Sequence, residues 1–549
     1  MYDFMKTYFF VYLLAFTVAF SSYGQFPEQV RPVKNVIFMV PDGTTLAVFT
    51  AARWYKVHNG LGNSLNVDPY FCGTVSSFGS NSGIPDSAPT MSCYMTGVPS
   101  QGGNVAIYPV ADPVNDIVPI DPTMAYQPLV TLMEAARIAQ GKSTGVIATC
   151  EFTHATPANC AAHHYSRSNY TFIAPQMAYN NLDVLFGGGT SLISDDMKAH
   201  FARNGTTLIQ DDLAAFRNFK GPGKVWSVFE NMAMPYELDR DPDKVPSLEE
   251  MTRKAIELLS TNENGFFLMV EGSKVDWAAH ANDAVGIITE FLAFDDAVGA
   301  ALEFARSNGE TAVVIVPDHG TGGFAIGRNG WRGGETINSL FGAVSKFKRT
   351  SEGMEAIMNA TQPEDIKNTF MTYTEIELSE QELQSITHSR NYRHRGELAS
   401  NERSLRTNVN NIMNSRTPFG FTTGGHTGEE LLLAIYHPSG QRPTGNITNI
   451  RLNEYLYKTL GMTVPLPELT KQLFAKHTDV FAGLNYRIEV IDEFPHLIVT
   501  RGRNTATIRG FSSVAYVNGN PVDLGSVTVY IDRNETFYLP ADALRKTGL

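Results

Sequence analysis

Cysteine is scarce: the 549 residues include only Cys72, Cys93, Cys150 and Cys160. None has the close paired spacing of a thiolate zinc site, so sequence assigns them no metal. Cys150 and Cys160 are the nearest pair; a disulfide and buried free thiols both remain open, because four cysteines permit three pairings. Positive charge is short as well. A formal net charge of −13 argues against nucleic acid as the main partner. An anionic substrate would therefore need local positive charge from metals or arginine. Beyond the N-terminus no apolar run is long enough to look membrane-spanning, and there is no convincing repeat or low-complexity tract.

The chain is too long for one small domain and suits a large α/β unit carrying insertions. It is 43% hydrophobic and 18% charged, with 46 glycines, which points to many turns rather than a helical bundle. Lys6 precedes an apolar run over 8–20, and Ser22-Tyr23-Gly24 supplies small residues before Gln25. That layout predicts a secretory signal peptide over 1–24, cleaved near Gly24, and hence a secreted or periplasmic protein; an uncleaved anchor is the alternative.

Short β-branched runs at 36–40, 144–149, 184–186, 266–270, 313–316 and 431–435 predict strands buried on both faces. Helical patterns alternate with them, including 248–259 behind a Ser247/Glu250 capping box and the long 284–305 segment. This alternation predicts a three-layer α/β sandwich with a large, mostly parallel central sheet. Residues 25–470 would form the catalytic domain, with an irregular, polar insertion at about 335–420. Segments at 486–491, 497–500, 505–508 and 527–531 predict a small C-terminal β appendage over 480–549.

In parallel sheets ligands bind at the carboxyl ends of strands. Four predicted strands run into metal-competent groups: Asp42, His154 with Thr156, Glu271, and Asp318 with His319. Within Glu271-Gly-Ser-Lys-Val-Asp276-Trp277-Ala-Ala-His280, a helix would set Asp276 and His280 one turn apart, where both can hold one zinc. Glycines after His319 permit the turn two adjacent ligands require, and glycines flank His426. Each fragment has a bland reading: a helix-capping acid, a solvated pair or a structural histidine. Ser87, in Pro85-Asp86-Ser87-Ala88-Pro89-Thr90, lacks the flanking glycines of a Gly-x-Ser-x-Gly elbow. Metal coordination could activate it, and a helix N-terminus would favour a phosphate there; otherwise Ser87 or Asp86 simply caps the helix.

Taken together, these segments resemble the alkaline phosphatase family over roughly 33–440: the Asp-Ser-Ala helix, Thr96-Gly97, His154-Ala-Thr156-Pro, the Glu-Gly-x-x-x-Asp-x-x-x-His run, Asp318-His319 and His426-Thr-Gly. The resemblance implies two zinc ions and a third metal, usually magnesium. Asp276, His280 and His426 would hold the first zinc; Asp42, Asp318, His319 and the Ser87 hydroxyl the second; Asp42, Thr156 and Glu271 the third ion. Arg167 matches the substrate-binding arginine, and its planar fork suits two phosphoryl oxygens. The implied activity is hydrolysis of phosphate monoesters through a phosphoserine, in a possible homodimer.

Two departures stand out. His154 and Trp277 flank the sites where some members carry Asp and Lys, which would tune the third metal toward zinc or cobalt. Pro89 gives Ser-x-Pro-Thr, reminiscent of sulfatases; those carry an arginine two residues after the Thr, where this chain has Ser92. A non-enzymatic phosphate-binding protein would be expected to have lost ligands, and the set here is complete.

Overall fold

The computed structural model describes residues 25–393 and 404–549. The expected signal peptide, 1–24, lies outside them. At the centre is a ten-stranded sheet. In chain order its strands are β1 (Asn35–Pro41), β2 (Phe71–Ser76), β3 (Ser143–Glu151), β4 (Val184–Gly188), β5 (Thr207–Gln210), β6 (Val225–Val228), β7 (Phe266–Gly272), β8 (Thr311–Ile315), β9 (Leu431–Tyr436) and β10 (Gly445–Thr448). Their spatial order is β10-β2-β9-β8-β1-β7-β3-β4-β6-β5. All neighbours run parallel except β9, which is antiparallel to both β2 and β8.

The near-continuous apolar character of the central strands has a direct cause. Along β1, Val36, Phe38 and Val40 enter one core while Ile37 and Met39 enter the other. In β7, Phe267 and Met269 face the first, and Phe266, Leu268 and Val270 the second. A side-chain period of two sends successive residues to opposite faces, and helices cover both. Four helices matter for the site: α1 (Ser87–Thr96), α2 (Leu248–Leu259), α3 (Lys274–His280) and α4 (Ala284–Asn308). At the start of α2 half of the expected capping box forms. Ser247 accepts from the Glu250 N–H, but the Glu250 carboxylate is drawn to Arg217 instead of returning to the cap.

The insertion is more regular than its composition suggests. Helices Ile337–Phe341, Ser351–Ala360, Ile366–Thr374, Glu380–Arg393 and Leu405–Ser415 occupy the described part of 335–420. Their apolar sides, including Met354, Met358, Phe370 and Val409, extend the core on the α4 face. Sparse apolar positions at helical spacing suffice for packing, although the intervening polar residues hide the pattern.

The C-terminal region forms a five-stranded antiparallel sheet and a smaller three-stranded one. The last strand, Thr536–Leu539, is a seam: Phe537 and Leu539 face a local core, while Tyr538 enters the core of the catalytic unit. All four cysteines are free, so the open choice between disulfide and thiols falls to thiols.

Candidate active site and metal centre

The carboxyl ends of β1, β3, β7 and β8 converge, and the turn after each presents a polar group. Asp42 follows β1 directly, Glu271 is the last residue but one of β7, and Asp318 and His319 follow β8. β9 explains how a residue preceding a strand reaches this edge. Because β9 is antiparallel, its start lies at the carboxyl ends of its neighbours. The short pair His426–Thr427 with Gly320–Thr321 then sets His426 opposite Thr321, beside His319. Gly43 lets the turns close up. Its φ is +65°, and a Cβ there would lie 2.5 Å from Asp276 Oδ1.

Ser87 is the first residue of α1, and its neighbour Asp86 is the cap, accepting from the Ala88 N–H at 3.1 Å. The serine hydroxyl is thus left free for chemistry and lies 3.2 Å from His319 Nε2. Pro89 occupies the first turn, where backbone N–H groups have no intrahelical partner, so it removes no helical hydrogen bond. The positive end of the α1 dipole points toward the same spot and favours an anion there, although the Ala88 N–H is taken by Asp86 and Pro89 has none.

Hydrogen bonds fix which nitrogen of each histidine faces the centre. His280 Nδ1 lies 2.6 Å from the Gly424 carbonyl, which can only accept; Nε2 therefore turns its lone pair toward Asp276 Oδ2, 3.4 Å away. Thr321 donates to Asp276 Oδ1 at 2.6 Å, so its oxygen accepts from His319 Nδ1 at 3.1 Å. His319 Nε2 is then also a lone-pair donor. It faces Asp42 Oδ1 at 3.5 Å and Asp318 Oδ2 at 3.3 Å. Lone pairs aimed at carboxylates repel unless a cation lies between them.

The carboxylates need the same cation. Asp42, Glu271, Asp276 and Asp318 are all buried. Both Asp42 oxygens, Glu271 Oε1, Asp318 Oδ2 and Thr156 Oγ1 are buried with no hydrogen-bond partner. Burial, followed by the neighbouring Asp318, Asp276 and Glu271, pushes the Asp42 carboxyl well above the usual range. Burial raises Glu271 to about 8. For Asp276 burial works the same way, and chiefly positive charge at His319 and His280 offsets it; with both rings neutral, that charge has to come from a bound cation. Leaving such groups uncompensated costs several kcal/mol each, so the residues fit bound divalent cations. Their ligand atoms gather into three groups: Asp276, His280 and His426; Asp42, Asp276 and His319; and Cys150, His154 and Glu271.

Arg167 reaches the edge of this centre. It donates to Asp86 Oδ2 at 3.1 Å and to His154 Nε2 at 2.9 Å. Burial, then the Arg167 charge, lowers His154 to about 3, so this imidazole is neutral and accepts. Trp277 packs edge-on against it, with ring centroids 5.8 Å apart.

Of the residues singled out in the sequence, Asp42, Ser87, His154, Arg167, Glu271, Asp276, Trp277, His280, Asp318, His319 and His426 come together; Thr156, in the short helix that follows His154, has a buried and unpartnered hydroxyl. Others escaped notice. Thr321 relays between His319 and Asp276, and Ser273 Oγ accepts the Thr149 and Cys150 N–H groups, tying the ends of β3 and β7 together. Asp86, expected as a cap of α1, also holds Arg167, a contact the sequence did not signal. Only Thr321, within Gly320-Thr321-Gly322-Gly323, stood in a segment whose glycines signalled a tight turn.

Oxygen- and nitrogen-rich ligand groups around a helix-terminal serine, at the carboxyl edge of a parallel sheet, define a hydrolase centre built for metal assistance. Comparison with known proteins narrows the class. The alkaline phosphatase family matches residues 33–462. Alkaline phosphatase 3 of Bacillus subtilis (strain 168) is 31% identical over 477 residues, spanning 82% of this chain and 96% of that protein. The human tissue-nonspecific alkaline phosphatase isozyme is 28% identical over 368 residues, covering 58% of this chain and 68% of its own. Among solved structures, a cold-active alkaline phosphatase from a psychrophilic Shewanella sp. superposes with a TM-score of 0.67 at 28% identity, covering 78% of this chain and 99% of that one. The chain belongs to the alkaline phosphatase family and is a phosphomonoesterase.

Proposed function

We propose that the chain hydrolyses phosphate monoesters to an alcohol and inorganic phosphate through a phosphoserine on Ser87. The observation that carries this reading is the Ser87 hydroxyl at the mouth of α1, released from capping and 3.2 Å from His319 Nε2, the nitrogen that also faces the unpartnered Asp42 Oδ1. Asp276, His280 and His426 would hold one zinc, and Asp42, Asp318, His319 and Ser87 a second. Asp42, Thr156 and Glu271 would hold the third ion, magnesium on the family pattern, with zinc or cobalt as alternatives. When bound, these ions would lower the pKa of coordinated hydroxyl groups and offset charge on the phosphoryl and leaving oxygens.

The chain's own groups do the following. Ser87 Oγ gives up its proton and attacks phosphorus in line, forming the P–Oγ bond as the ester P–O bond breaks; the departing alkoxide takes up the proton through solvent and leaves as the alcohol. Water then attacks the phosphoserine from the vacated side, the P–Oγ bond breaks, and a proton from that water returns to Ser87 Oγ. The Arg167 guanidinium holds two phosphoryl oxygens, and the positive end of the α1 dipole faces a third. Before substrate arrives, Asp86 and His154 keep Arg167 at the edge of the site.

The leader over 1–24 supports export to the periplasm or beyond, and the family resemblance supports a homodimer. Among the described residues no helix is long and apolar enough to cross a membrane. Parallel turnover of p-nitrophenyl phosphate, its bis ester and its sulfate tests the reaction class. The monoester should be turned over fastest; faster diester or sulfate cleavage overturns the reading.

A further inference from the structure

The third group of candidate ligands contains a residue that an oxygen-only magnesium site has no use for. Cys150 lies near the end of β3, four residues before His154 and buried from solvent. Its Sγ is 3.6 Å from Glu271 Oε2. Ligand atoms of Cys150, His154 and Glu271 all fall within 4.8 Å of one another. Glu271 is fully buried, and its other oxygen, Oε1, has no partner. The placement is built rather than incidental: the Cys150 N–H is tied at 3.1 Å to Ser273 Oγ, on the turn that follows Glu271.

We propose that the third metal site of this chain takes sulfur from Cys150 together with oxygen from Glu271, and therefore selects zinc or cobalt over magnesium. This rests on the reading of Glu271 as a third-site ligand. Magnesium prefers hard oxygen donors and gains little from sulfur, whereas thiolate favours zinc and cobalt. On binding, the Cys150 thiol loses its proton to water, and the S–H contact to Glu271 is replaced by the ion itself. Arg167 donates to His154 Nε2, which keeps that ring's hydrogen on Nδ1. The imidazole can therefore join the ion only when Arg167 is drawn toward substrate, while the sulfur faces no such competitor.

The test uses the full-length enzyme stripped of metal and reloaded with cobalt(II), and separately with zinc(II) in excess magnesium(II). The wild-type protein should show a sulfur-to-cobalt charge-transfer band in the near ultraviolet and should retain three equivalents of zinc against magnesium. Cys150→Ser, which keeps size and a polar atom, should lose the band and exchange one zinc equivalent for magnesium; Cys150→Ala should do the same. Absence of the band in wild type, or its persistence in both variants, overturns the proposal. Glu271→Gln separates two kinds of failure. If it loses one metal equivalent while the Cys150 variants match wild type, the site stands without sulfur. If Glu271→Gln loses no metal, the third-site reading itself fails, and the proposal with it.

Discussion

Arg167 is held at the edge of the site by two partners that differ in kind. Asp86 offers a charge, and His154 a neutral lone pair. A guanidinium in this position can swing from these contacts onto a phosphoryl group without leaving its own loop, because its backbone N–H is fixed to the Gly103 carbonyl at 2.7 Å. Arg167→Ala is expected to lower kcat/KM by roughly 10²–10³-fold, the usual loss for one preorganised charge-stabilising donor. Arg167→Lys should recover only part of this, because an ammonium cannot bind two oxygens in a planar fork. Steady-state kinetics on p-nitrophenyl phosphate distinguish the two. At this scale the sequence was informative about ligands and silent about what orients them. Asp276 and His280 could be placed on one face of a helix by spacing alone. Thr321 could not, since its role depends on an imidazole and a carboxylate that the ends of two different strands bring together. Asp86 was legible as a cap, and its second duty toward Arg167 was not.

α3 carries two of the expected zinc ligands, Asp276 and His280, and the helices of the insertion grip the loop that follows it. Asn410 donates to the Ala281 and Asn282 carbonyls at 2.6 and 2.9 Å, and Asn414 to Asn282 at 2.6 Å. Asp283 caps α4 and also accepts from the Ser351 N–H. The double variant Asn410→Ala/Asn414→Ala should therefore weaken zinc binding about 10-fold or more, as losses around a metal ligand commonly do, and competition with a chelator measures it. On α4, Glu290 is buried and accepts from the Glu237 N–H, with Lys274 and Asp239 nearby. Burial raises its carboxyl to about 8. The folded chain then keeps a proton that the unfolded chain releases near 4.5. This contribution to stability is complete below that value and is lost as pH rises toward 8. Glu290→Gln retains the acceptor and removes the titration. Denaturant unfolding between pH 5 and 8 should therefore show a flatter profile, by at most about 5 kcal/mol. The sheet strands were readable because strands buried on both faces are apolar throughout. The insertion helices were not, because only scattered residues such as Met354 and Val409 face the core while polar side chains fill the rest.

Across the whole molecule, the C-terminal region bears on the site from behind. Phe511 stacks on Phe172, with ring centroids 4.4 Å apart, and lies 6.4 Å from the His164 ring. His164 and Phe172 flank the segment that presents Arg167. Phe511→Ala should lower stability by about 3–5 kcal/mol, as deletion of a buried aromatic typically does, and should raise KM by loosening that segment; thermal unfolding and kinetics together report both. A β-rich end was visible in the sequence. Its attachment was not, because Tyr538 and its alternate neighbours Phe537 and Leu539 serve different cores from one strand.

Everything in this account converges on the Ser87 hydroxyl, which Asp86 leaves free by taking over the cap. Acid quenching of the enzyme during turnover of a monoester, followed by peptide mass analysis, tests it most directly. Phosphate should be found on the peptide containing Ser87 and nowhere else, and Ser87→Ala should lose both the label and roughly 10⁴-fold or more of kcat. Phosphate on another residue, or full activity in Ser87→Ala, would contradict the account.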